Sequence, residues 1–156
     1  MTTPTTPQTL KARIEADLRA AMKSRDELVT STLRMAITAV RNAEVAGAQA
    51  RALADDEVLA VLTREAKKRR EAAAAFADAG RAEQAAKERA EEEVLERYLP
   101  SQLSDDELRA IVADVMAAGG FSGMPSMGAA MKAAQVIVAG RAEGGRVAAE
   151  VRRQLS

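Results

Sequence analysis

Apolar residues recur every third or fourth position along almost the whole chain, and no segment alternates with the period of a strand. Leu10, Ile14, Leu18 and Met22 mark one side of a first helix that ends near Ser24. Asp26 and Glu27 favour a new helix start through the macrodipole, and Leu33, Ile37 and Val40 give that second helix its apolar stripe before Gly47 begins its exit. The run Asp55-Asp56-Glu57 opens a third helix predicted to reach about Ala79, with Gly80 placed as a left-handed cap. A fourth helix, Ala82 to Tyr98, is dense in mixed charge and stops at Pro100.

Beyond Pro100 the pattern shortens. Ser104 and Glu107 form a capping box in front of the apolar face Leu108, Ile111, Val112 and Val115. Gly119-Gly120 ends that helix, and Pro125 suits the first turn of the next, lined on its inner side by Met127, Met131, Ala134 and Val138. Gly128, inside that helix, is expected to permit close helix packing. Gly140 closes it, and Gly144-Gly145 precedes a last helix with Val147, Val151 and Leu155 at fourfold spacing. The predicted fold is all-α: a disordered Thr/Pro start over 1–8, an N-terminal bundle of longer helices over 9–100, and a small C-terminal helical subdomain over 101–156.

Composition narrows what such a fold can do. Among 156 residues there are 36 alanines, so helices can approach closely while each contact buries little area. Phe76, Tyr98 and Phe121 are the only aromatic residues, too few for a base-stacking platform. Cysteine and histidine are absent, which removes a thiol nucleophile, a disulfide framework, a zinc site of the usual ligands and a Ser/His pair. The sequence therefore predicts no catalytic residue, no metal and no cofactor. With 23 basic and 23 acidic side chains no global field draws the chain onto nucleic acid, so any RNA contact must be local, and DNA is not expected as a partner. No uninterrupted apolar run of membrane-spanning length occurs and the start lacks a basic flank, so the expected location is cytoplasmic, with no membrane partner.

Three charged groups invite a closer reading. In the third helix Arg64, Lys67, Lys68, Arg69 and Arg70 wrap the surface, with Arg69 falling among Leu62, Ala66, Ala73 and Phe76. Glu44 continues the apolar stripe of the second helix, so a Glu44–Arg69 ion pair between packed helices is expected. Lys67, Lys68 and Arg70 suit either a solvated helix face or a phosphate-contacting patch. In the tail, Lys132, Arg141 and Arg146 could grip phosphates beside the helix start after Gly145, or Arg141 could simply cap a helix end. The acidic run Glu91-Glu92-Glu93, with Glu88 and Glu96, alternates with Arg89 and Arg97 and reads as an exposed face with neighbouring salt bridges.

Leu33-Arg34-Met35, Asn42-Ala43-Glu44, Glu65 to Glu71, Ala79-Gly80-Arg81 and Tyr98-Leu99-Pro100 occur in an order and spacing that resemble the YqeY family. Met127 to Lys132 and Gly140-Arg141-Ala142 are similar to the segment that family shares with the C-terminal tail of GatB, a subunit of tRNA-dependent amidotransferases. The resemblance runs from about Leu10 onward, with Ala54 standing where the family pattern has a capping serine. It implies a non-catalytic helical module that associates with tRNA or with amidotransferase and aminoacylation proteins, the tRNA or partner contacts falling on Lys67, Lys68, Arg70, Lys132, Arg141 and Arg146. The alternatives are an accessory to a glutamine-dependent amidotransferase, the carbon–nitrogen ligase activity attached to the family label, and a general protein-interaction module.

Overall fold

A computed structural model describes residues 8–156, and the predicted disorder of the start lies largely outside them. The described residues form seven α-helices and one 3₁₀ turn joined by loops, with no strand among them. They are α1 (Leu10–Ser24), α2 (Glu27–Glu44), α3 (Asp55–Asp78), α4 (Ala82–Glu96), α5 (Asp105–Gly119), α6 (Met127–Val138) and α7 (Gly144–Leu155), the 3₁₀ turn Met124–Ser126 leading into α6. The chain divides into two compact units, one up to Leu99 and the other from Pro100 to Ser156.

Local chemistry sets most of the boundaries in the first unit. The Thr9 hydroxyl accepts from the Ala12 amide at 3.1 Å and the Asp26 carboxylate from that of Val29 at 3.1 Å, capping α1 and α2. At the head of α3, Ala54 has no side chain with which to cap. Glu57 instead reaches back to the Ala54 amide at 3.1 Å and also pairs with Arg51. That pairing, with the backbone bond, holds the Glu57 carboxyl down at about 2 against an ordinary 4.5. Helix α3 ends in a Schellman turn in which the Arg81 amide donates to the Phe76 carbonyl at 2.8 Å and Gly80 takes φ 74°.

Ile14, Leu33, Ile37, Val40, Val58, Leu62, Val94 and Leu95 form the core of this unit. Ala66, Ala73 and Ala85 are buried, and their small side chains let α3 and α4 pack closely as a hairpin. Tyr98 closes one end. Its hydroxyl donates to Asp17 at 2.5 Å and its ring stacks under the Arg13 guanidinium at 4.9 Å. Burial and the neighbouring carboxylate both push the phenol well above its ordinary range. Met22, expected on the inner side of α1, is 48% exposed; in that last turn the inner position belongs to Ala21, which is buried.

In the second unit the Ser104 capping box forms as expected, with Ser104 accepting from the Glu107 amide at 3.1 Å. Leu108, Val112, Val138, Val147, Val151 and Leu155 meet in its core, with Met127 and Met131 packed at the edge. Pro125 lies in the 3₁₀ turn ahead of α6. Gly128 does not serve helix packing: a Cβ there would meet nothing within 4 Å, and the residue is exposed on the outer face of α6.

Candidate functional site

The candidate cations separate according to whether a carboxylate already holds them. Arg69 is buried, but its partner is not Glu44. Its Nη1 lies 3.2 Å from Glu65 Oε2 and its Nε 3.5 Å from Glu91 Oε2, while Nη2 meets the Met35 sulfur at 3.5 Å. Glu44 is taken by Lys11 at 2.8 Å, a contact that lowers its carboxyl pKa. The physical reason is helix pairing. Arg69 meets α2 at Met35, well before Glu44 along that helix, and takes Glu91 from α4, whereas Glu44 at the end of α2 faces the first turn of α1.

Its neighbours on α3 follow the same rule. Lys68 pairs with Glu65 at 3.2 Å, Lys67 lies 3.9 Å from Glu71, and Arg70 Nε donates to Glu92 at 2.8 Å. The acidic run of α4 is therefore not a uniformly solvated face: Glu91 is 6% exposed, and Glu91 and Glu92 reach across to arginines of α3. Among them Glu96 titrates above its ordinary range, chiefly through desolvation and a hydrogen bond with Glu92.

In the tail, Arg141 folds back onto its own helix end, donating from Nε to the Val138 carbonyl and from Nη2 to that of Ile137, each at 3.2 Å. This is the capping alternative. Arg146 is held by the Leu103 carbonyl and Asp105, both at 2.9 Å. It lines an open groove of about 360 Å³ with Arg109 and Arg153, and both of those also carry a carboxylate partner, Asp106 and Glu150. Glu143 occupies the N-cap position of α7, so an anion approaching that helix end meets a carboxylate. Lys132 alone of the three tail cations is exposed without an ion pair among the described residues, on the same outer face of α6 as Gly128, Ala129 and Gln135.

The structure brings Arg69 and Arg70 together with the acids of α4, and leaves Lys67, Lys68 and Lys132 on the surface. Other cations, outside the expected set, are exposed as well. Arg19, Lys23, Arg25 and Arg34 are all exposed, and none forms an ion pair among the described residues. A count of acids within each helix would have distinguished them. Among the described residues no group of three or more histidine, cysteine, aspartate or glutamate side chains is placed to hold a metal, and no helix is long and apolar enough to cross a membrane.

Fold and surface together define a two-unit, all-helical protein in which Lys11, Arg69 and Arg70 each pair with a carboxylate of another helix. The family described as Yqey-like protein matches residues 11–155, and the chain belongs to that family. No curated protein matches it in sequence.

Proposed function

We propose that the protein is a non-catalytic binding module that docks tRNA by contacting phosphates. The observation that carries this reading is the outer face of α6, where exposed Lys132 forms no ion pair among the described residues and has Gly128 and Ala129 one turn before it and Gln135 and Val136 one turn after. Gly128 and Ala129 let a phosphate backbone approach the preceding turn closely, and the Lys132 ammonium has no internal ion pair among the described residues to break before it releases a counterion. This face lies within the segment similar to the GatB tail, which is what suggests tRNA as the polyanion. With no histidine or cysteine in the sequence, the fold has neither a thiol nucleophile nor an imidazole base.

Affinity should be weak and salt-dependent, about one unit of log–log slope per phosphate neutralised. The test is a titration of the full chain with deacylated tRNA from low to physiological salt. Saturable binding that fades with salt and weakens in Lys132→Gln supports the reading. No binding at low salt overturns it.

A second reading is favoured by Val136, Ile137 and Met124, which are 73%, 51% and 49% exposed in the second unit. Apolar side chains left in water suit a protein surface, such as a subunit of a glutamine-dependent amidotransferase or another aminoacylation protein. Co-purification with such a subunit, abolished by Val136→Asp, distinguishes that role from direct tRNA docking.

A further inference from the structure

The elbow between α1 and α2, continuing along the exposed side of α2, concentrates positive charge outside the ion pairs of the described residues, although Arg41 helps to lower the Glu44 pKa. Between Leu18 and Ala43 the chain carries Arg19, Lys23, Arg25, Arg34 and Arg41 against only Asp26 and Glu27. In a chain of zero net charge this segment is locally positive by three. All five cations are exposed, and none is in an ion pair among the described residues. Helix α4 presents the opposite balance, Lys87 and Arg89 among six glutamates.

Geometry gathers part of this charge into one place. An open groove of about 310 Å³ is lined by Met22, Arg25, Glu27, Thr30 and Arg34, so the two guanidinium-bearing residues border a single concavity with a thioether in its wall. Glu27, Arg34 and Arg41 recur every seven residues and therefore share one side of α2, with Thr30 and Thr38 between them. Arg34 and Arg41 are separated by roughly 10 Å along the helix axis. Cations at that spacing suit a chain of phosphates better than one small anion, and since the Thr38 hydroxyl already donates to the Arg34 carbonyl at 2.9 Å, the contact falls to the guanidinium groups.

Arg25 adds an independent observation. It is the residue after the end of α1 and takes φ 60°, ψ 35°, the left-handed conformation in which glycine is ordinarily found. The turn is otherwise a complete Schellman motif, the Asp26 amide donating to the Ala21 carbonyl at 3.0 Å and the Arg25 amide to that of Met22 at 3.3 Å. An arginine here is conformationally costly and makes no internal ion pair, which is the pattern of a residue whose side chain serves something outside the fold.

We infer that the α1–α2 elbow and the outer side of α2 form an RNA phosphate-binding surface, with Arg25, Arg34 and Arg41 as its principal contacts. This rests on the RNA-docking reading above and assigns it a second surface, in the first unit. Arginine is suited to the task because its planar fork meets phosphate with two parallel hydrogen bonds. Met22 offers a polarizable, adaptable apolar contact beside the charge. Glu27, in the wall of the groove, repels phosphate from the start of α2 and so directs the strand toward Arg34 and Arg41.

The experiment is fluorescence anisotropy of labelled deacylated tRNA with the full chain, across a series of salt concentrations. The triple variant Arg25→Gln, Arg34→Gln, Arg41→Gln should weaken binding at least about tenfold and flatten the log–log salt slope by about 2 to 3 units, roughly one for each phosphate no longer neutralised. Lys87→Gln with Arg89→Gln removes two exposed cations from the acidic helix and should leave affinity within about twofold, since carboxylates there already repel phosphate. The single variant Arg25→Gly guards against misfolding, because it relaxes the turn: it should melt no lower than the parent yet bind more weakly. If the parent binds tRNA and the triple variant binds equally well, this surface is wrong while the docking reading stands. If the parent binds no tRNA at low salt, the docking reading fails and takes this surface with it. Equal affinity of the parent for polyglutamate and for tRNA would mark the surface as one for acidic proteins and overturn the RNA assignment.

Discussion

Replacing Arg69 with methionine should remove one partner from a buried charge cluster while keeping much of the side-chain volume. Arg69 and Glu91 side chains are only 6% and 8% exposed, and Glu65 is 13% exposed. Glu65 retains Lys68 at 3.2 Å, so its loss resembles that of a surface pair, whereas Glu91 is left almost fully buried with no cation. The cost should therefore come mainly from Glu91, roughly 3 kcal/mol, at the low end of what breaking a buried pair costs. For a helical unit of this size that corresponds to a fall in Tm of roughly 12–24 °C. Urea denaturation followed by far-UV circular dichroism measures it directly. Arg69→Met with Glu91→Leu should restore most of the loss, because neither charge then needs desolvating. Arg69→Met with Glu44→Gln should show close to no coupling, since Glu44 belongs to Lys11. A loss from Arg69→Met no greater than about 0.5 kcal/mol, the scale of an ordinary surface change, would refute the buried cluster.

Other perturbations test the remaining features. Tyr98→Phe removes the 2.5 Å bond to Asp17 and should cost roughly 1.5–3 kcal/mol by thermal or urea unfolding, the range for bonds to charged groups. Arg25→Gly should change stability by no more than about 1 kcal/mol and in the favourable direction, relief of left-handed strain outweighing the extra freedom of glycine in the unfolded chain. Gly119→Ala should destabilise by roughly 1–3 kcal/mol despite the better helix propensity of alanine, because the new Cβ would overlap the Phe121 ring. Glu150 is held at about 2 against an ordinary 4.5, chiefly by Arg153, so its contribution is complete above pH 4.5 and disappears as pH falls from there to 2. Acid unfolding of Glu150→Gln should accordingly be less steep than that of the parent across that window.

Element by element, the helices were readable because local chemistry marks their ends. Asp26, the Ser104–Glu107 box and Gly80 act on their own neighbours, so each leaves a trace within a few residues of sequence. Periodicity also placed Arg69 on the inner side of α3, where it is. What it lacked was the partner, because helical spacing orients a side chain within its own helix and says nothing of which helix packs against it. Charge density hid the answer on α4: six glutamates made Glu91 look solvated, although Val94, Leu95 and Tyr98 turn that side toward the core. The pairing of two candidate cations was hidden for the same reason. Arg70 and Arg146 take their carboxylates from distant parts of the chain, Glu92 and Asp105, whereas Lys68 and Arg141 find partners within three or four residues, where helical spacing already places them. Arg25 and Arg34, scattered singly along the sequence, become a set only when the α1–α2 turn folds them around one groove.

Tyr98 is the only tyrosine in a chain without tryptophan, and it is clasped by Asp17 and Arg13 inside the first unit. Its intrinsic fluorescence is therefore a built-in reporter of that unit alone, needing no label. A phenol hydrogen-bonded to a carboxylate is quenched, so opening the clasp should brighten emission as the unit melts, while the second unit, whose only aromatic residue is Phe121, melts unseen at the same wavelengths. Comparing that optical trace with circular dichroism, which sees every helix, would give the stability of each half from one undivided sample.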